Sequence, residues 1–108
     1  MWTNWEEKID PHATISPHLL WDMNLEKFDW QKNKLIVVER VIEGGMPEDF
    51  YTLFRMYGGV EGVREIAKKI RCFRWKQDID FTSMIFDIEK EEMECYKHQL
   101  LRQAHLNS

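Results

Sequence analysis

The strongest constraint on how this chain can fold is the return of large apolar residues at helical spacing, cut into segments by glycine pairs. In "WQKNKLIVVERVIEGG", Trp30, Leu35, Val37 or Val38, Val41 and Ile42 recur close to the helical period, and Gly44-Gly45 supplies the stop. In "PEDFYTLFRMYGG", Phe50, Leu53, Phe54 and Tyr57 stand at i, i+3, i+4 and i+7, with Pro47 where a first helical residue belongs and Gly58-Gly59 behind the last. Val60, Val63, Ile66, Ala67 and Ile70 resume the stripe. Phe81, Met84, Ile85 and Ile88 predict a short helix, and Met93, Tyr96, Leu100 and Leu101 predict a last one over about residues 89–105. Ser16 before Pro17 has the order of a helix cap and predicts a helical turn over 17–21. The β-branched run "LIVVERVI" alone would also suit a strand, but an Asp29 cap, the segment length and the terminal glycines favour helix.

These segments predict an all-α, compact single domain of five or six helices over residues 17–106, preceded by an N-terminal arm over 1–16. With 108 residues, 44% of them hydrophobic, the chain can bury one modest core without metals or disulfides. Trp2 and Trp5 are too apolar to leave bare, so the arm docks on its own domain or engages a partner protein. The longest unbroken apolar run is 35–38, far short of the roughly 20 residues that span a bilayer. Glu6 and Glu7 stand where a secretory leader needs a basic and then an apolar region, which makes a cytoplasmic address the expectation. In that compartment Cys72 and Cys95 are expected as free thiols.

Charge is segregated. Residues 63–76, "VREIAKKIRCFRWK", carry six bases and one acid, a local charge of +5 in a chain whose net charge is −4. Everything else therefore sums to −9, yet screening beyond about 8 Å at physiological salt lets a local patch act alone. A helix, a glycine turn and a second helix with outward cations is the bare outline of a helix-turn-helix, here at about 47–71. The outline is weak, because close crossing usually needs a small residue in the first helix and "LFRMYG" has only bulky ones. On this reading Arg64, Lys68, Lys69, Arg71, Arg74 and Lys76 neutralise the phosphates of duplex DNA. The plainer reading is a solvated helix face, with Phe73 and Trp75 of "FRWK" tucked into the core. An intermediate one pairs the cations with a charged protein or with the acidic segment 87–94, "DIEKEEME".

No enzyme is expected. The glycine pairs match neither a dinucleotide nor a phosphate-loop spacing, and Ser16, Ser83 and Ser108 lie in no nucleophile pattern. Cys95 and His98, with Glu94 nearby, share a helix face, but Cys72, His105, His12 and His18 give no second short-spaced pair to complete a zinc site. Neither a metal nor a cofactor is expected. Glu39-Arg40, inside "VVERVIE", reads as a buried structural ion pair.

The pieces "LLWD", "KFDW", "VVERVIEGG", "LFRMYGG", "VREIAKKIR" and "EMECY", in this order over about residues 18–97, resemble a family of small uncharacterised bacterial proteins grouped as a domain of unknown function. The most distinctive parts are Trp21-Asp22, Asp29-Trp30, Glu39-Arg40-Val41, Tyr57-Gly58 and Cys95-Tyr96, and the chain departs from the pattern at Thr82, where a second aromatic is usual. The resemblance carries over no activity. It implies an antitoxin-like protein beside a nucleotidyltransferase-type toxin. The function expected is thus that of a non-enzymatic DNA-associated or antitoxin-like regulator. The alternative is a protein-interaction module using Trp2 and Trp5 or the acidic last helix, and the sequence sets no oligomeric state.

Overall fold

The computed structural model describes residues 2 and 4–106, with the backbone alone for 103–106. Five α-helices form among them: α1 Lys34–Gly44, α2 Pro47–Tyr57, α3 Gly59–Lys68, α4 Gln77–Phe86 and α5 Glu94–Leu106. Single 3₁₀ turns lie at Trp5–Lys8, Pro17–Leu20, Leu25–Lys27 and Lys90–Glu92, and no strand forms among the described residues. The all-α architecture is the one the apolar spacing predicts.

The helix α1 is the centre. Val37, Val38 and Val41 are fully buried, and α2, α3 and α4 pack around them. Core burial of these β-branched side chains outweighs their weak helix propensity. Leu53 and Phe54 from α2, Val63 from α3, Phe86 from α4 and Met93 complete the interior.

Gly58 and Gly59, at φ 88° and 80°, turn the chain from α2 into α3 through left-handed backbone that costs other residues strain. The small residue that lets these helices meet sits in α3: a Cβ on Gly62 would lie 1.8 Å from the Tyr57 carbonyl oxygen. The first turn of α3 thus packs directly on the last carbonyl of α2.

The arm docks. The Trp2 indole packs on Phe50 and Phe54, with ring centroids 5.3 and 5.0 Å away, and its Nε1–H donates to the Ile85 carbonyl at 2.7 Å. Trp5 packs edge-on against Phe54. Where the arm joins the domain, buried Asp49 accepts hydrogen bonds from the Ser16 amide (2.9 Å), the Ser16 hydroxyl (2.8 Å) and the Met46 amide (3.0 Å).

Four local expectations change. Ser16 does not cap the turn that follows, because its hydroxyl is committed to Asp49. Asp29 caps a turn over residues 30–33 and not α1, which starts at Lys34. Arg40 pairs with Asp22 instead of Glu39, in a two-pronged contact of 2.9 and 3.0 Å, and also donates to the Leu19 carbonyl. That pair is partly exposed, and the Arg40 hydrogen bond holds the Asp22 carboxyl below its ordinary range. The segment predicted as one helix over 89–105 is broken at Met93, whose extended backbone separates a 3₁₀ turn from α5.

Candidate nucleic-acid interface

The basic stretch is not one helix. The helix α3 stops at Lys68, and residues 70–76 run without helical structure to the start of α4. Ile70 and Phe73 anchor this ridge in the core, at 2% and 8% exposure, while Arg71, Arg74, Trp75 and Lys76 stand out from it. Phe73 is thus tucked in as the plainer reading expects, but Trp75 is 53% exposed.

The six predicted phosphate ligands separate into groups. Arg64 donates through Nε to the Phe86 carbonyl at 2.6 Å, holding the end of α4. The Lys68 ammonium sits 3.1 Å from Glu65 and 3.9 Å from Glu92. The latter contact reaches into the acidic 87–94 segment, as the intermediate reading anticipates for part of the charge. Lys69 lines a shallow depression with Lys34 and Glu65, and the exposed side of α3 presents Glu61 and Glu65. Arg71, Arg74 and Lys76 come together along the ridge.

Opposite the ridge, α5 contributes Cys95, His98, Gln99 and Arg102, one helical stripe, and the two walls enclose a groove of about 600 Å³. Four cations, Arg71, Arg74, Lys76 and Arg102, line it, and among the described residues no carboxylate does. The Arg71 Nε–H donates to His98 Nε2 at 3.4 Å, which ties the ridge to α5. Burial pushes the Cys95 thiol up to about 11, so it stays protonated at neutral pH and is a poor nucleophile. Cys72 is exposed, and both cysteines are free thiols. Among the described residues no group of three His, Cys, Asp or Glu side chains is arranged to hold a metal ion, and the side chain of His105 lies outside them.

A second cleft, of about 380 Å³, lies across the ridge. Arg74 and Trp75 form one wall, and His18, Leu19, Trp21, Arg40, Glu43 and Gly44 the other. Trp21 is 81% exposed, on a segment fixed by the Arg40–Asp22 pair, and Glu43 accepts the Arg74 backbone N–H at 2.9 Å. The Arg74 guanidinium lies over the Trp75 ring, 5.4 Å from its centroid.

Residues 15–67 match a family of unknown function, DUF6922. No curated protein and no solved structure matches the chain. The DUF6922 segment covers α1, α2 and most of α3, together with Trp21, Asp22 and Arg40. It ends before the ridge and α5, so "EMECY" and the 600 Å³ groove lie outside the DUF6922 match.

The sequence reading missed Arg102 and His98 as groove residues. Their signal was the stripe Cys95, His98, Gln99 and Arg102 on one side of α5, which complements a basic ridge only once the chain is folded. Trp2 and Trp5, read as partner anchors, are half-buried on α2 and α4.

Proposed function

We propose that this protein is a non-catalytic nucleic-acid-binding regulator and that its phosphate-binding surface is the groove between residues 70–76 and α5. One observation carries the reading: Arg71, Arg74, Lys76 and Arg102 converge on one concavity with no carboxylate among its described lining residues, in a chain that is acidic elsewhere. Such a basic concavity is the electrostatic footprint of nucleic-acid binding. Of the six bases expected from sequence, the geometry favours the three on the ridge and adds Arg102.

Fluorescence anisotropy with labelled DNA at low ionic strength tests this. The wild type should bind, and a triple variant, Arg71→Gln, Arg74→Gln and Lys76→Gln, should lose most of that affinity while keeping its helical spectrum. If the wild type binds neither duplex nor single strands, the reading is wrong.

A protein-interaction role is favoured by a different feature: Leu100 and Leu101 of α5 are 46% and 66% exposed. An antitoxin-like protein would present this helix to the cognate toxin that the family resemblance implies. Co-purification of such a toxin with the wild type, but not with a Leu100→Ser, Leu101→Ser variant, is the result expected on that reading.

A further inference from the structure

Two tryptophans, Trp75 on the ridge and Trp21 across the second cleft from it, stand outside the core. Trp21 is 81% and Trp75 53% exposed, both line the 380 Å³ cleft, and Arg74 lies between this cleft and the cationic groove on the other side of the ridge. Indoles left in water beside fixed cations are the arrangement that holds unpaired bases: each base has a face to stack, and the backbone phosphates track the cations. A duplex hides those faces. Duplex readers that use a helix pair present the second helix to the major groove, and here the exposed positions of α3 are Glu61 and a Glu65 paired with Lys68, so this helix offers a duplex no net positive face.

We infer that the ligand is single-stranded nucleic acid, with bases stacked on Trp75 and Trp21 and phosphates held by Arg71, Arg74, Lys76 and Arg102. The inference rests on the nucleic-acid reading above and narrows it. Arg74 and Trp75 line both clefts, so a strand crossing the ridge passes from the groove towards Trp21 beside one shared cation and one shared indole. Stacking is indifferent to base identity, which predicts weak sequence preference. The stacking and phosphate contacts proposed do not use the 2′-hydroxyl, so DNA and RNA strands should bind alike.

The test is anisotropy with labelled oligo-dT, oligo-rU and a mixed-sequence duplex of the same length, on the full chain. Both single strands should bind at least ten times more tightly than the duplex. Trp75→Leu should weaken single-strand binding roughly 5- to 150-fold, the range of one lost base stack, and Trp75→Phe should recover most of the loss. Trp21→Leu should weaken it in the same direction. Melting curves of each variant separate a lost stack from a lost fold, and Trp21, being almost fully exposed, supplies a variant whose fold is safe. Duplex binding equal to or tighter than single-strand binding overturns the inference and leaves the broader reading standing, as does single-strand affinity unmoved by both leucine variants. Absence of binding to all three probes overturns both. A preference of more than tenfold between dT and rU, which differ in the 2′-hydroxyl and in the base 5-methyl group, would show a contact to one of these that the proposed site lacks and would overturn the site as drawn.

Discussion

Asp49 is 3% exposed, and its carboxylate holds both ends of the joint between the arm and α2. Removing it strands the Ser16 amide and hydroxyl and the Met46 amide. Asp49→Ala is therefore expected to cost about 2–3 kcal/mol, because a partner lost from a buried hydrogen-bonded group exposes the full desolvation penalty of what remains. Urea denaturation measures this, and Asp49→Asn, which keeps one acceptor, should cost less. Arg64 belongs to the same class of residue. As an outward cation it would be replaceable at almost no cost, within about 0.5 kcal/mol. Its 2.6 Å hydrogen bond to the Phe86 carbonyl instead satisfies one of the unpaired acceptors at the end of α4. Arg64→Gln should thus lower stability by about 1–2 kcal/mol, and a change within the error of the urea midpoint would show that the bond contributes nothing.

At the scale of elements, the α2–α3 junction depends on backbone contact. Gly62→Ala places a methyl group against the Tyr57 carbonyl and must push the two helices apart, an overpacking expected to cost about 3 kcal/mol. A fully stable alanine variant would contradict the packing described. The start of α4 holds a different liability. Burial raises the Asp78 carboxyl above its ordinary range, and among the described residues its Oδ2 is the buried side-chain oxygen without a partner. The folded state therefore keeps this proton to higher pH than the unfolded chain does. Its stabilising contribution is fully present below the unfolded value of about 4 and is lost as pH rises through the raised one. Asp78→Asn removes that loss, so its melting temperature relative to wild type should increase between pH 4 and pH 7. A difference that does not vary with pH would contradict this assignment.

The elements also show what could be read in advance. The helix α2 was legible at both ends, because Pro47 opens it, Gly58 closes it and Phe50, Leu53, Phe54 and Tyr57 all face inward. The end of α3 was not. Ile70 and Phe73 continue the three-residue step of Val63, Ile66 and Ala67, so the pattern of a helix and that of an irregular ridge with two core anchors coincide in sequence. The cations inherited that ambiguity: Arg64, Lys68 and Arg71 looked like one helix face, but the first two are held by Phe86, Glu65 and Glu92 and only the third reaches the groove. The α5 wall was illegible for another reason, since a groove between distant segments exists only after folding. Trp21 and Trp75 could not be told from core residues by type, because most large aromatics are substantially buried.

For the whole molecule, the central claim is that charge segregated in the sequence becomes a phosphate-binding groove in space. The most direct measurement is the salt dependence of nucleic-acid affinity for the wild type and for the Arg71→Gln, Arg74→Gln, Lys76→Gln variant. Each phosphate contact contributes about 0.7 to the slope of log K against log salt on single strands and about 0.9 on duplex. Four groove cations therefore predict a wild-type slope of about −3 on single strands, and the triple variant should be flatter by about 2. A wild-type slope near zero, or one that the triple substitution leaves unchanged, would contradict the account.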